Sequence, residues 1–210
     1  VMAFQDDDLS AYENHFSGSF HTKARIVKAF DDLCKEKPYD KIKIEDIVAA
    51  TGLSRSGFYY HFQDKNDILI WLSCQSYSAG LKETGRTLTW HEAHRRTTCY
   101  FMKFKALFVA GASCREYRGG QPFFVRWRQR QLTETMLSYQ QKEITPLIKF
   151  QIEAVPYVEI AMAQKFMQGE LGISLDEYCE MIVSLVPREL YEALAVPATP
   201  APSGDSMFLF

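Results

Sequence analysis

Residues 39–69 read YDKIKIEDIVAATGLSRSGFYYHFQDKNDIL, and this stretch decides the fold. Residues 44–50 carry apolar side chains at helical spacing (Ile44, Ile47, Val48), the mark of a short amphipathic helix. Thr51-Gly52-Leu53 follows as a tight turn, with Gly52 able to take the positive φ that ends a helix. Ser54 is placed to cap a second short helix that runs to about His61. Two short helices joined by a glycine-containing turn form a helix-turn-helix. Ile47, Val48, Leu53 and Phe58 then face inward, and Arg55, Ser56, Gly57, Tyr59, Tyr60 and His61 point to solvent or into a DNA groove.

On either side the same period continues. Ile26, Ala29, Phe30 and Leu33 recur as one helical face before the motif. Leu132, Met136 and Tyr139, and later Tyr178, Ile182 and Leu185, do so after it. Pro38 ends the first helix, Thr145-Pro146 opens a later one, and Ser174-x-x-Glu177 has capping-box spacing. No alternating strand bounded by turn residues is legible. The expected fold is all-α: an N-terminal three-helix helix-turn-helix domain followed by a C-terminal helical domain. Its organisation reads as an acidic N-terminal arm (1–20), the helix-turn-helix domain (21–69), the second domain (70–196) and a flexible tail (197–210).

The chain has 210 residues, with 24 Lys+Arg against 26 Asp+Glu, which excludes a uniformly basic nucleic-acid coat. Charge is nevertheless uneven. Residues 71–130 hold 11 basic against 3 acidic side chains, and residues 131–196 hold 4 against 10, so these parts attract one another within or between copies. No apolar run is long enough for a bilayer, and no membrane partner is expected. The N-terminal order, apolar then Asp6-Asp7-Asp8, is opposite to a secretory signal. The five scattered cysteines lack a CxxC pair, and reduced thiols in the cytoplasm are the expectation.

Catalysis finds no support. GxSxG, P-loop, GxGxxG and HExxH motifs are missing, and no pair of carboxylates can be nominated. His91-x-x-His94, with Cys99 nearby, has usable metal-ligand spacing, but the sequence fixes no third ligand. Cys99 and Cys114 have no clear cluster that would lower a thiol pKa. An enzyme, a cofactor and a metal are therefore not expected.

The pattern Ile44-x-Asp46-Ile47-Val48-x-x-Thr51-Gly52-Leu53-Ser54, then Phe58-Tyr59-x-His61-Phe62-x-x-Lys65-x-x-Ile68-Leu69, resembles the DNA-binding domain of the TetR (tetracycline-repressor-like) family of bacterial transcriptional regulators. It departs at Ser56-Gly57, where the family more often has Gly then Thr; a glycine there lowers helix propensity and removes a side chain that could read a base. A looser resemblance reaches the branch that includes dihydroxyacetone-kinase regulators. It rests on Lys65-Asn66-Asp67-Ile68-Leu69-Ile70-Trp71, on Gly169-x-x-Gly172-Ile173-Ser174-x-Asp176-Glu177 and on Val186-Pro187.

The resemblance implies a repressor that binds an inverted-repeat operator in double-stranded DNA as a homodimer, modulated by a small-molecule effector in its second domain. A protein partner in place of the small molecule is the alternative. Tyr59, His61 and Lys65 are then expected on phosphates, and Arg55, Ser56, Gly57 and Tyr60 in the major groove, with Ser54 as the cap and Thr22 and Lys23 of the first helix near the backbone. An effector pocket would be lined by Tyr100, Phe101, Phe104, Phe108, Phe123, Phe124, Trp127 and Tyr139, with Trp90 as a wall, although aromatics at helical spacing more often form core. Arg126, Arg128 and Arg130 alternate and are expected to spread around a solvated helix. The last helices, at about 157–171 and 175–195, are expected to pair two copies through Phe166, Met167, Ile182 and Leu185, or else to close the domain's own core.

Overall fold

The structure, a computed structural model, describes residues 19–112 and 121–196. Most of the acidic arm, the tail 197–210, Cys114 and Gly119-Gly120 lie outside the described residues.

Helix α1 (Phe20–Glu36) starts where the Ser19 hydroxyl accepts the Thr22 N–H at 3.2 Å. It stops because Lys37, preceding Pro38, is driven to extended geometry. Helix α2 (Ile44–Thr51) ends at Gly52, whose φ of +66° suits a residue without Cβ. Helix α3 (Arg55–His61) starts at Ser54, whose hydroxyl accepts the Gly57 N–H at 3.0 Å. Asp64 caps α4 (Lys65–Ala79) by accepting from the Asn66 and Asp67 N–H groups. Ile26, Phe30, Ile47, Phe58 and Phe62 pack with Ile68 and Leu69 of α4, so the core that fixes the α2–α3 crossing continues into the rest of the chain.

Beyond α4 come α5 (Trp90–Lys103), α6 (Lys105–Ala112), α7 (Gln121–Glu134), α8 (Pro146–Gln168), α9 (Leu175–Ser184) and α10 (Arg188–Ala193). A single π-turn, Thr135–Tyr139, extends α7. Helix α4 packs on α5, α5 on α9, and α7 on α8. At the α4–α5 junction a Cβ on Gly80 would lie 2.3 Å from the Ala93 carbonyl oxygen and 2.8 Å from the Thr97 amide, so glycine permits the close approach. Helix α6 packs against α1, where buried Asp31 accepts the Leu107 N–H at 2.9 Å. A second apolar cluster of Trp90, Leu132, Met136, Ile152, Leu190 and Leu194 closes the opposite end.

The all-α architecture follows the expectation; among the described residues there is one isolated bridge, Thr84 to Leu88, and no helix long and apolar enough to cross a membrane. The late helices differ from their expected bounds. Helix α8 runs from Pro146 straight through Pro156, and the segment after α9 breaks at Pro187 into a separate α10. Pro156 sits buried inside the helix, where packing on α7 holds the segment helical despite the lost N–H. The caps at Thr145 and Ser174 form as the sequence indicates.

Candidate nucleic-acid interface

Helix α3 is anchored by one side and presents the other. Phe58 is wholly buried and Phe62 nearly so, their rings 6.3 Å apart, which fixes the helix against the core. The opposite face carries Arg55, Ser56, Tyr59 and Tyr60, all exposed. Tyr60 is 62% and Tyr59 43% exposed, and adjacent tyrosines left in water mark a surface with something to contact. Arg55 stands 5.8 Å over the Tyr59 ring, and its guanidinium pairs with Glu45 of α2 at 2.8 Å. The Arg55 proton is held more tightly than usual, by hydrogen bonding to Tyr59, the Tyr59 charge and the Glu45 charge, so the group is a permanent cation. The Ser54 hydroxyl lies 3.0 Å from that of Ser56, and Gly57 leaves the first turn of α3 narrow. His61, half-buried, meets the Tyr60 ring edge-on at 5.2 Å.

Three residues expected near phosphates are placed differently. The Lys65 ammonium donates to the carbonyls of Tyr39 (2.8 Å) and Ile42 (3.2 Å) and sits 4.7 Å over the Tyr39 ring. It ties α4 to the short 3-10 turn before α2, a structural role that the Lys-after-aromatics pattern does not disclose. Lys23 is buried 6.0 Å over the Trp71 ring, and desolvation pulls its pKa down. Thr22 is half-buried, its hydroxyl 2.9 Å from that of Ser19 at the head of α1. The structure therefore brings Ser54, Arg55, Ser56, Gly57, Tyr59, Tyr60 and His61 together on one short helix and its cap, and leaves Thr22, Lys23 and Lys65 on α1 and α4.

Residues 26–71 match the family model described as bacterial regulatory proteins, tetR family. The match is confined to the helix-turn-helix part of the chain, which is similar to the DNA-binding domain of that family. Over 64 residues it is 33% identical to the HTH-type dhaKLM operon transcriptional activator DhaS of Lactococcus lactis subsp. lactis (strain IL1403), covering 30% of this chain and 34% of that protein. Over 47 residues it is 38% identical to the uncharacterized HTH-type transcriptional regulator YwcC of Bacillus subtilis (strain 168), covering 22% of this chain and 21% of the relative. The chain thus spans about a third and a fifth of the lengths of these two curated relatives. A solved structure titled dihydroxyacetone kinase operon activator DhaS superposes with a TM-score of 0.60 at 20% identity, over 80% of this chain and 95% of that one, which extends the shared fold through the second domain. These relatives are regulators of transcription and not enzymes.

The helical part after α4 holds a cavity of about 30 Å³ lined by Tyr77, Thr97, Phe101, Phe108, Phe124 and Tyr178, among others. Phe101, Phe108 and Phe124, all named for a pocket, line this cavity. Trp127 is instead packed on Tyr77 at 5.3 Å, while Tyr100 and Phe104 pair with each other at 6.2 Å, half-buried away from the cavity. Tyr139 lies outside altogether, exposed beneath the Arg86 guanidinium.

Polar groups are also built into this wall, which sequence reasoning missed. Arg128, expected in solvent, is 2% exposed; it donates to Glu159 at 2.9 and 3.1 Å and to the Leu81 carbonyl, and lies 5.3 Å over Trp90. The His94 Nε2 is 3.2 Å from the same carboxylate. Burial pushes the Glu159 carboxyl up, but the Arg128 charge and the His94 hydrogen bond outweigh it and hold the pKa at about 2. His94 is thus engaged with Glu159, and among the described residues no group of three or more metal-ligating side chains comes together.

Of the residues expected to pair two copies, Met167 and Ile182 are buried and Phe166 stacks on Tyr178 at 4.4 Å, all inside one subunit. Leu185 is exposed. A different apolar stripe runs along α8: Leu147, Phe150, Ala154, Tyr157, Val158 and Ala161, with Phe150 71% exposed. Met181 of α9 and Leu185 at its C-cap are exposed too, and a groove of about 120 Å³ between these helices is floored by Val155, Ile182 and Val186.

Proposed function

We propose that this regulator binds an inverted-repeat operator as a homodimer, with α3 of each copy in a major groove. The observation that carries this reading is the exposed face of α3, where Arg55, Ser56, Tyr59 and Tyr60 stand in water on a helix anchored by Phe58. Such a helix, entered through a capped N-terminus, is built to reach base edges while its aromatics and amides meet phosphates. The exposed stripe on α8, with Met181 of α9 and Leu185 at its C-cap, supplies the apolar face through which two copies pair.

Control by a protein partner is the better-supported mode. A drug-sized effector needs a pocket of about 300–1,000 Å³. The cavity of about 30 Å³ has room for one or two waters, and Arg128 and Glu159 of its wall are paired with each other. A partner acts by binding the DNA-competent spacing of the two α3 helices more tightly, or less tightly, than other spacings. The sign of regulation depends on where the operator lies relative to the promoter; DhaS is named an activator, whereas the resemblance implies a repressor.

The test is fluorescence anisotropy of the purified protein on DNA flanking its own gene, at two salt concentrations, against a scrambled duplex. Preferential, salt-dependent binding by two subunits per site supports the reading. Equal binding to both duplexes refutes it.

A further inference from the structure

Glu45 is an acid in the first turn of α2, and its carboxylate pairs with Arg55 in the first turn of α3 at 2.8 Å. Both side chains are about two-thirds exposed, at 59% and 66%, so the pair stands on the surface of the helix-turn-helix and not within its core. Tyr59, one turn further along α3, flanks the same guanidinium with its ring. A lone arginine on a flexible stem would meet the nearest phosphate of any duplex. This one is gripped from two sides, by a carboxylate on the preceding helix and by an aromatic ring on its own.

We infer that Glu45 is a specificity-determining positioning residue, which orients the Arg55 guanidinium for a guanine edge and suppresses its attraction to phosphate. The inference rests on the DNA-reading role of α3. Its first half follows from geometry. A guanidinium has five N–H donors in a rigid fork. The Nη1 nitrogen stands 2.8 Å from the Glu45 carboxylate, which draws the guanidinium toward α2 and leaves its other edge, with two parallel N–H groups, for guanine O6 and N7.

The second half follows from charge. The Arg55–Glu45 pair is formally neutral as a whole, so a phosphate gains little by approaching it and must displace or tolerate a carboxylate. Residues 21–70 hold only 9 basic against 8 acidic side chains, and Glu45 is one of those acids at the reading surface. Affinity for arbitrary DNA falls, and the hydrogen-bond pattern at one base pair carries more of the discrimination.

An exposed pair contributes little to folding, so variants of it fold. The wild-type protein is first used to select its preferred duplex from a random pool. Wild type, Glu45→Gln, Arg55→Gln and the double variant are then titrated against that duplex, each of its single-base-pair substitutions, and a scrambled control. Glu45→Gln is expected to bind the scrambled duplex more tightly, with a salt slope steeper by about one phosphate contact. Its preference at a single base pair falls about tenfold, within the range of one bidentate contact. Arg55→Gln loses preference at the same base pair, and adding Glu45→Gln changes that position no further. A Glu45→Gln protein that shifts every duplex by one common factor overturns the inference, as does one that loses preference equally in the Arg55→Gln background. A wild type that selects no sequence at all overturns the DNA-binding reading itself.

Discussion

Replacing Glu159 by Leu strands a buried guanidinium, and the structure sets the size of the effect. Arg128 and Glu159 are 3% and 4% exposed at their side chains and share two hydrogen bonds. Removing one partner from such a pair costs about 3–5 kcal/mol, because the other charge stays buried without compensation. The carboxyl itself gives a matching figure: moving its pKa from 4.5 to about 2 corresponds to about 3 kcal/mol. For a chain of this size each kcal/mol moves Tm by about 2–4 °C, so Glu159→Leu lowers Tm by about 6–20 °C. Arg128→Met/Glu159→Leu removes both charges and recovers most of the loss. Thermal and urea unfolding by circular dichroism, at one fixed subunit concentration, measures the wild type, Arg128→Met, Glu159→Leu and the double variant. The pH dependence has a definite sign. A depressed carboxyl stabilises fully above its unfolded value, and the contribution disappears as pH falls from about 4.5 to about 2. Single substitutions that each cost under about 1 kcal/mol, or a double variant as unstable as the sum of the singles, would refute the reasoning.

Other consequences follow from particular contacts. Gly80→Ala places a methyl group 2.3 Å from the Ala93 carbonyl oxygen, and the backbone on both sides must move; Tm should fall by at least several degrees, and an unchanged melting curve would show that α4 and α5 are less closely apposed. Phe150→Glu, on the exposed α8 stripe, should leave the subunit's stability within about 0.5 kcal/mol but abolish the proposed pairing of two copies in sedimentation velocity; pairing that survives the substitution places the interface elsewhere. Gly52→Ala forces a Cβ into positive φ at the turn of the helix-turn-helix and should cost about 1 kcal/mol in urea unfolding, although no atom within 4 Å obstructs it.

The helix-turn-helix was legible because its determinants are local. Ser54 caps a helix three residues away, Gly52 takes a φ that other residues resist, and the spacing of Ile47 and Phe58 sets which faces meet. The role of Lys65 was not, since the carbonyls it satisfies lie 26 and 23 residues back in the chain. Arg128 is the clearest failure of local reading. Three alternating arginines look solvated on any single helix, and nothing nearby in sequence announces that Glu159, 31 residues on, neutralises the middle one. The exposed apolar stripe of α8 was readable in principle. Leu147, Phe150, Ala154, Tyr157, Val158 and Ala161 recur at helical spacing, but dividing this segment between a helix opening at Thr145-Pro146 and another at about 157–171 cuts the stripe in half. The aromatics of α5 to α7 divided between cavity and core as packing dictated, and their spacing carried no sign of how small the cavity would be.

The most direct test of the central claim, that the exposed face of α3 reads DNA, is the affinity of Tyr60→Ala for the duplex the wild type selects. Tyr60 is 62% exposed, so truncation should leave the melting temperature and the oligomeric state unchanged. The account predicts that binding to the selected duplex weakens about tenfold or more, as loss of one or more kcal/mol per half-site requires in a dimer. Wild-type affinity in a correctly folded Tyr60→Ala protein would contradict it.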